Sequence, residues 1–130
     1  MDKSSILKGF NNQFEEFLED IETLFPNNND IKTSKTGLMM LRKANPKMII
    51  NVWYRYVCEK YEEEIENENI EYFLEKDYSE DLKKNPNSSQ VLQGIDNLRQ
   101  PLRELEESNK KKTIQYLKNL NQLSKIYNNI

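Results

Sequence analysis

Histidine is absent from the chain and cysteine occurs once. Without histidine the commonest general base and nitrogen metal ligand are missing, and with them every Ser–His and Cys–His dyad. One thiol without an imidazole cannot close a tetrahedral zinc site, and a lone cysteine makes no disulfide within the chain. The three glycines, Gly9, Gly37 and Gly94, are isolated. That spacing excludes a phosphate-cradling loop and a dinucleotide fingerprint. Four prolines complete a set of turn residues too small for a β-sandwich. No apolar run approaches membrane-spanning length, and the opening MDKSSILKGFNN lacks the apolar stretch of a signal peptide. A soluble protein of a reducing, intracellular compartment is therefore the expectation, with no membrane contact and no cofactor. Enzyme chemistry would have to rest on carboxylates, lysine or tyrosine alone.

What is present is charge. Charged residues make up 32% of 130 residues, hydrophobic ones only 36%, and the mean hydropathy is −0.92. Thin amphipathic helices suit that balance better than a thick sheet core. The length suits one domain able to bury a core without metal or disulfide support. Seventeen asparagines accompany many Lys and Ile, a bias that genome composition alone can produce. The net charge of −3 hides an asymmetry. Residues 1–58 carry eight basic and seven acidic side chains, 59–81 two and eleven, and 82–130 nine and four. Such a layout can orient partners or self-association.

Periodicity predicts an all-α domain, an irregular antiparallel bundle of five or six helices. The first helix runs from a cap at Ser4 or Ser5 to Phe25. Leu7, Phe10, Phe14, Phe17, Ile21 and Leu24 form its a/d seam, widened by Ile6, Leu18 and Phe25. Asp30 is expected to cap a second helix over 31–44. The third is the most apolar window, NPKMIINVWYRYVCEKY, with Asn45 as cap and Pro46 at the first helical position. Ile49, Val52, Trp53, Tyr56, Val57 and Tyr61 give it a broad stripe, so it reads as the hub for the first and fifth helices. It should fray near Glu66 and break over 67–69. A short helix over 70–76, a further turn capped by Ser79, and a loop over 85–89 follow. Ser88 or Ser89 then caps a fifth helix, carrying Val91, Leu92, Ile95 and Leu98, that continues kinked through Pro101 to about Glu107. Ser108 or Asn109 starts the last helix, with Ile114, Leu117, Leu120 (or Asn121), Leu123 and Tyr127 as its stripe.

Two clusters are candidate contacts. Lys32, Lys35, Arg42, Lys43 and Lys47 gather at the corner between helices two and three, beside the predicted helix start at Asn45-Pro46. Free backbone N–H groups and the dipole favour anions there, so phosphate or nucleic acid is the natural ligand. Solvated lysines that compensate a helix end are the simpler reading. Lys110-Lys111-Lys112 is a second basic group. Glu59, Glu62, Glu63 and Glu66 form i, i+3 and i, i+4 pairs that could hold a divalent cation, do acid–base work, or face a basic partner. Without burial they are a solvated helix face. Cys58, next to Val57 and near Glu59 and Glu62, reads as a buried, inert thiol. Trp53 and its neighbouring tyrosines read as core, with Tyr54 half-exposed.

Three stretches carry a resemblance: FNNQFEEFLEDIETLFPNNNDI (10–31), RKANPKMIINVWYRYVCEKYEEEIENENIEYFLEKDYSEDL (42–82) and IDNLRQPLRELEESNKKKTIQYLKNLNQLSKIY (95–127). Together they resemble short, uncharacterised helical proteins encoded by large nucleocytoplasmic DNA viruses of algae and protists. The resemblance implies a viral role in the cytoplasm of an infected host cell and no particular mechanism. The Asn-Trp-Gly-Arg signature of viral Bcl-2-like proteins is not reproduced by Asn51-Val52-Trp53-Tyr54-Arg55, which has another spacing and no glycine. The leading expectation is a non-enzymatic protein-interaction or scaffold protein, self-associating through its first or last helix. The alternative is a nucleic-acid-binding accessory factor that uses the basic corner.

Overall fold

The computed structural model describes residues 2–69, Glu71, Leu74 and 89–130, and among them no strand occurs. Helix α1 spans Lys3–Leu24. Its cap is Asp2, whose carboxylate accepts the Ser5 N–H at 2.8 Å, so Ser4 and Ser5 form the first turn instead of capping it. The Ser5 N–H holds the Asp2 carboxyl below the usual carboxylate range. Helix α2 spans Asn29–Ala44 and starts earlier than expected. Asn28 caps it by accepting the Ile31 N–H at 3.1 Å, while Asp30 adds a favourable negative charge to the first turn. The two helices form an antiparallel hairpin, zipped by Glu22–Lys35 at 3.3 Å and Glu15–Arg42 at 2.9 Å. Each partner moves by one heptad between the two pairs, so the register is regular.

The central apolar window forms a continuous rod: α3 (Met48–Trp53), a π-helical turn (Tyr54–Cys58) and α4 (Glu59–Glu66). Asn45 and Pro46 do not start it. Asn45 closes α2 by donating its N–H to Leu41 O at 2.7 Å, and its own carbonyl accepts the Met48 N–H at 3.1 Å. The rod begins after this turn with no side-chain cap. In the π turn the Glu59 N–H bonds Tyr54 O, five residues back, and one extra residue is absorbed. The expected break at 67–69 is present. Glu68 takes a left-handed φ of 63°, and the Glu68 and Asn69 N–H groups bond Ile65 O and Glu64 O at 3.0 and 2.7 Å. That is a Schellman ending with glutamate where glycine is usual.

Helix α5 spans Ser89–Leu102. The kinked continuation beyond Pro101 is not found: the helix stops at Leu102, and the Glu104 N–H turns back onto Pro101 O at 3.1 Å. Arg103 donates to Leu74 O at 2.6 Å, and Leu105 folds into the core. Helix α6 spans Glu107–Asn129, with Ser108 and Asn109 in its first turn. The short helix expected over 70–76, the turn capped by Ser79, the loop 85–89 and capping by Ser88 or Ser89 lie outside the described residues, apart from Glu71, Leu74 and the backbone of Ser89.

The bundle pairs α1 with α6 and α2 with α5, and the rod lies between them. Trp53 is its centre. Its ring meets Phe10 and Phe14 edge-on at 6.4 and 6.0 Å, and Phe17 packs on Tyr116 at 5.2 Å. The hub expectation holds, with α6 rather than α5 as the rod's main neighbour. Buried residues from every helix form a single cluster, and the result is an all-α irregular bundle.

Candidate functional site

The basic corner divides in two. Lys35 and Arg42 turn inward along the α1–α2 hairpin, where Glu22 and Glu15 hold them. Arg42 also donates to Asn12 Oδ1 at 2.6 Å and to Asn11 O at 3.4 Å. Lys32, Lys43 and Lys47 face solvent. The helix start that was to complete an anion site is not at Asn45-Pro46, and Pro46 O accepts the Asn11 side chain at 3.0 Å. The helix instead starts two residues on, with Lys47 at its uncapped N-terminal position, so of the five cations Lys47 stands at the dipole's positive end while Lys35 and Arg42 are paired elsewhere. The second basic group is mostly engaged: Lys110 reaches Glu71 at 3.7 Å and Lys112 reaches Asp20 at 2.7 Å, while Lys111 is exposed.

The acidic face lies on α4. Tyr61 and Ile65 point into the core, which turns Glu59, Glu63 and Glu66 out to solvent and leaves Glu62 half-buried. Lys125 of α6 binds Glu62, and that carboxylate raises the Lys125 pKa. With Lys60 and Glu64 these glutamates line a shallow, open depression of about 470 Å³. Among the described residues no group of three carboxylate or thiol side chains is arranged to hold a metal ion. The inward-facing glutamates that a carboxylate metal site would need are not found on this face.

Sequence reasoning missed a polar network at the π turn. The Trp53 indole donates to Asn121 Oδ1 at 2.8 Å. Asn121 main-chain O accepts from Cys58 Sγ at 3.7 Å and from Ser124 Oγ at 3.0 Å. Asn121 and Ser124 are buried, whereas Leu123, predicted for that stripe, is only partly so. The asparagine lies in phase with Ile114 and Leu117, which was the available signal. Cys58 is buried and free. Burial first, then the Glu62 and Glu59 charges, push its thiol up, with the Ser124 hydroxyl and Lys125 opposing. The network is a packing and orientation device: it fixes α6 against the widened turn. Beside it, Phe17, Trp53, Ile95, Leu98, Arg99 and Leu102 enclose about 10 Å³, room for one water at most. Arg99 is itself buried and bonded to Asp96.

Comparison with protein-family models, with curated proteins and with solved structures finds no match. Among the described residues no helix is long and apolar enough to cross a membrane.

Proposed function

We propose that this chain is a non-enzymatic protein-binding or scaffold protein that works through its charged outer faces, and that a second copy is among its partners. The observation that supports this reading is the separation of charge on the surface. Glu59, Glu63 and Glu66 face outward on α4, and Lys32, Lys43 and Lys47 face outward at the α2–α3 corner. Patches of opposite sign on one molecule steer encounter and fix orientation. Two copies set head to tail would bring the two patches together. The apolar seams of α1 and α6 are not the self-association surface in this reading, because Phe10, Phe14, Phe17, Ile21, Leu117 and Leu120 are buried within one chain. The viral resemblance supports a setting in the cytoplasm of an infected cell.

Nucleic acid is the competing partner. It draws less support, since Lys35 and Arg42 already engage Glu22 and Glu15 and the sequence pI is 5.2, whereas nucleic-acid domains are usually basic. Sedimentation across protein and salt concentration tests self-association. A mass above one chain at low salt that falls as salt screens the patches is expected. A one-chain mass at high protein concentration removes that part of the reading. Nuclease treatment of captured complexes then separates protein partners from nucleic acid.

A further inference from the structure

Along the outer side of α2, Lys32, Thr36, Met40 and Lys43 recur at helical spacing, and all four are exposed. Met40 is 67% exposed, more than any other large apolar side chain described. Beside it, half-buried Met39 extends an apolar floor. The two lie in an open groove of about 320 Å³ between α1 and α2, bounded by Glu22, Lys35, Thr36 and Lys43. A single exposed methionine needs no explanation. Two adjoining ones beneath a cationic rim are a different arrangement. The helix carries Lys32, Lys35, Arg42 and Lys43 against the one carboxylate of Asp30, and once Lys35 and Arg42 are paired with Glu22 and Glu15 of α1, Lys32 and Lys43 remain on the outer face. The carboxylate inside the groove, Glu22, and Lys35 neutralise each other at 3.3 Å, which leaves exposed Lys43 at the groove's edge, and Lys32 farther along the helix, as the outward positive charge.

We propose that the Met39–Met40 groove docks a short acidic segment of a partner protein, one large apolar side chain seated on the methionines and carboxylates facing the exposed Lys32 and Lys43. The inference rests on the protein-interaction reading and supplies the chemistry of one partner. Thioether side chains adapt their shape to different apolar anchors, which suits them to a docking floor. The charge of the rim selects the flanking residues by complementarity. A nucleic-acid backbone would use the lysines and leave Met40 idle, so the methionine distinguishes the two ligands.

The test is fluorescence anisotropy with a labelled glutamate-rich peptide carrying one central leucine, run beside the same peptide with alanine at its centre and a single-stranded oligonucleotide. Met40→Ser and Lys43→Glu are compared with the natural chain; both positions are exposed, and circular dichroism verifies the fold. The expected result is binding of the leucine peptide that weakens about tenfold with the alanine centre, with Met40→Ser and with Lys43→Glu. Three results overturn the proposal: no binding of the leucine peptide at roughly 1 mM, binding indifferent to both the leucine and Met40, or an oligonucleotide that binds more tightly than the peptide and ignores Met40. A nuclease-resistant protein partner whose capture depends on Glu59 and Glu63 would survive any of these, so the groove and the wider interaction reading fail separately.

Discussion

Asn121→Ala is expected to destabilise the bundle through the indole of Trp53. The side-chain oxygen of Asn121 accepts the Trp53 N–H at 2.8 Å, and both groups are buried. Removing that acceptor leaves a buried donor without it, which costs about 1–3 kcal/mol. The small cavity adds roughly 0.5 kcal/mol. One effect opposes these: Asn121 Nδ2 has no hydrogen-bond partner among the described residues, and deleting it relieves part of a desolvation cost. The net expectation is a loss of about 1.5 kcal/mol. The main-chain carbonyl of Asn121, which serves Cys58 and Ser124, survives the substitution, so the effect isolates the amide. Urea denaturation measures it by far-ultraviolet circular dichroism. Trp53 fluorescence gives a second signal, because the chain has one tryptophan. A double-mutant cycle with Trp53→Phe, followed by circular dichroism, should return about 1 kcal/mol of coupling. A loss within roughly 0.3 kcal/mol together with zero coupling would refute the reasoning.

Three further outcomes follow from local geometry. Gly9→Ala meets nothing within 4 Å and should stabilise α1, by up to about 1 kcal/mol; the same change at Gly94 puts a methyl 3.0 Å from Leu38, so overpacking of roughly 1–3 kcal/mol should leave it the less stable of the two in urea melts. Glu68→Gly relieves the left-handed φ of 63° and should raise stability by about 0.5–1 kcal/mol, contradicted by any fall in melting temperature. Cys58 should resist thiol reagents at neutral pH until the chain unfolds, since burial raises its pKa. Its contribution to stability is full below the ordinary thiol pKa and is lost as pH climbs through the raised folded value, because the unfolded thiol ionises first. Rapid labelling of folded protein would contradict it.

The helical class and the hub could be read from spacing because apolar residues at i, i+3 and i+4 leave a helix few alternatives. The π turn was not legible, because Tyr61 follows Val57 by four residues and so already fell on the predicted stripe. Tyr61 and Ile65 are both buried, on the face that the absorbed residue of the turn re-phases toward the core. Starts and stops were harder, since Asp2 and Asn28 compete with Ser4, Ser5 and Asp30 as chemically equivalent caps, and the choice depends on where the chain must turn. Pro101 left continuation and termination both open; the turn beyond Leu102 and burial of Leu105 decide it. The basic corner showed its composition in sequence but not its pairing. Glu15 and Glu22 reach Arg42 and Lys35 only once α1 and α2 lie antiparallel, and sequence separation gave no hint of that register.

The proposed function stands on outward-facing charge, so reversing that charge addresses it most directly. The decisive measurement is affinity capture from cell lysate after nuclease treatment, comparing the natural chain with a Glu59→Lys, Glu63→Lys form and a Lys32→Glu, Lys43→Glu form. Captured proteins identified by mass spectrometry are expected to survive nuclease and to be lost with one or the other reversal, while both variants keep the natural helical spectrum. Capture that vanishes with nuclease, or that is indifferent to both reversals, would contradict the account.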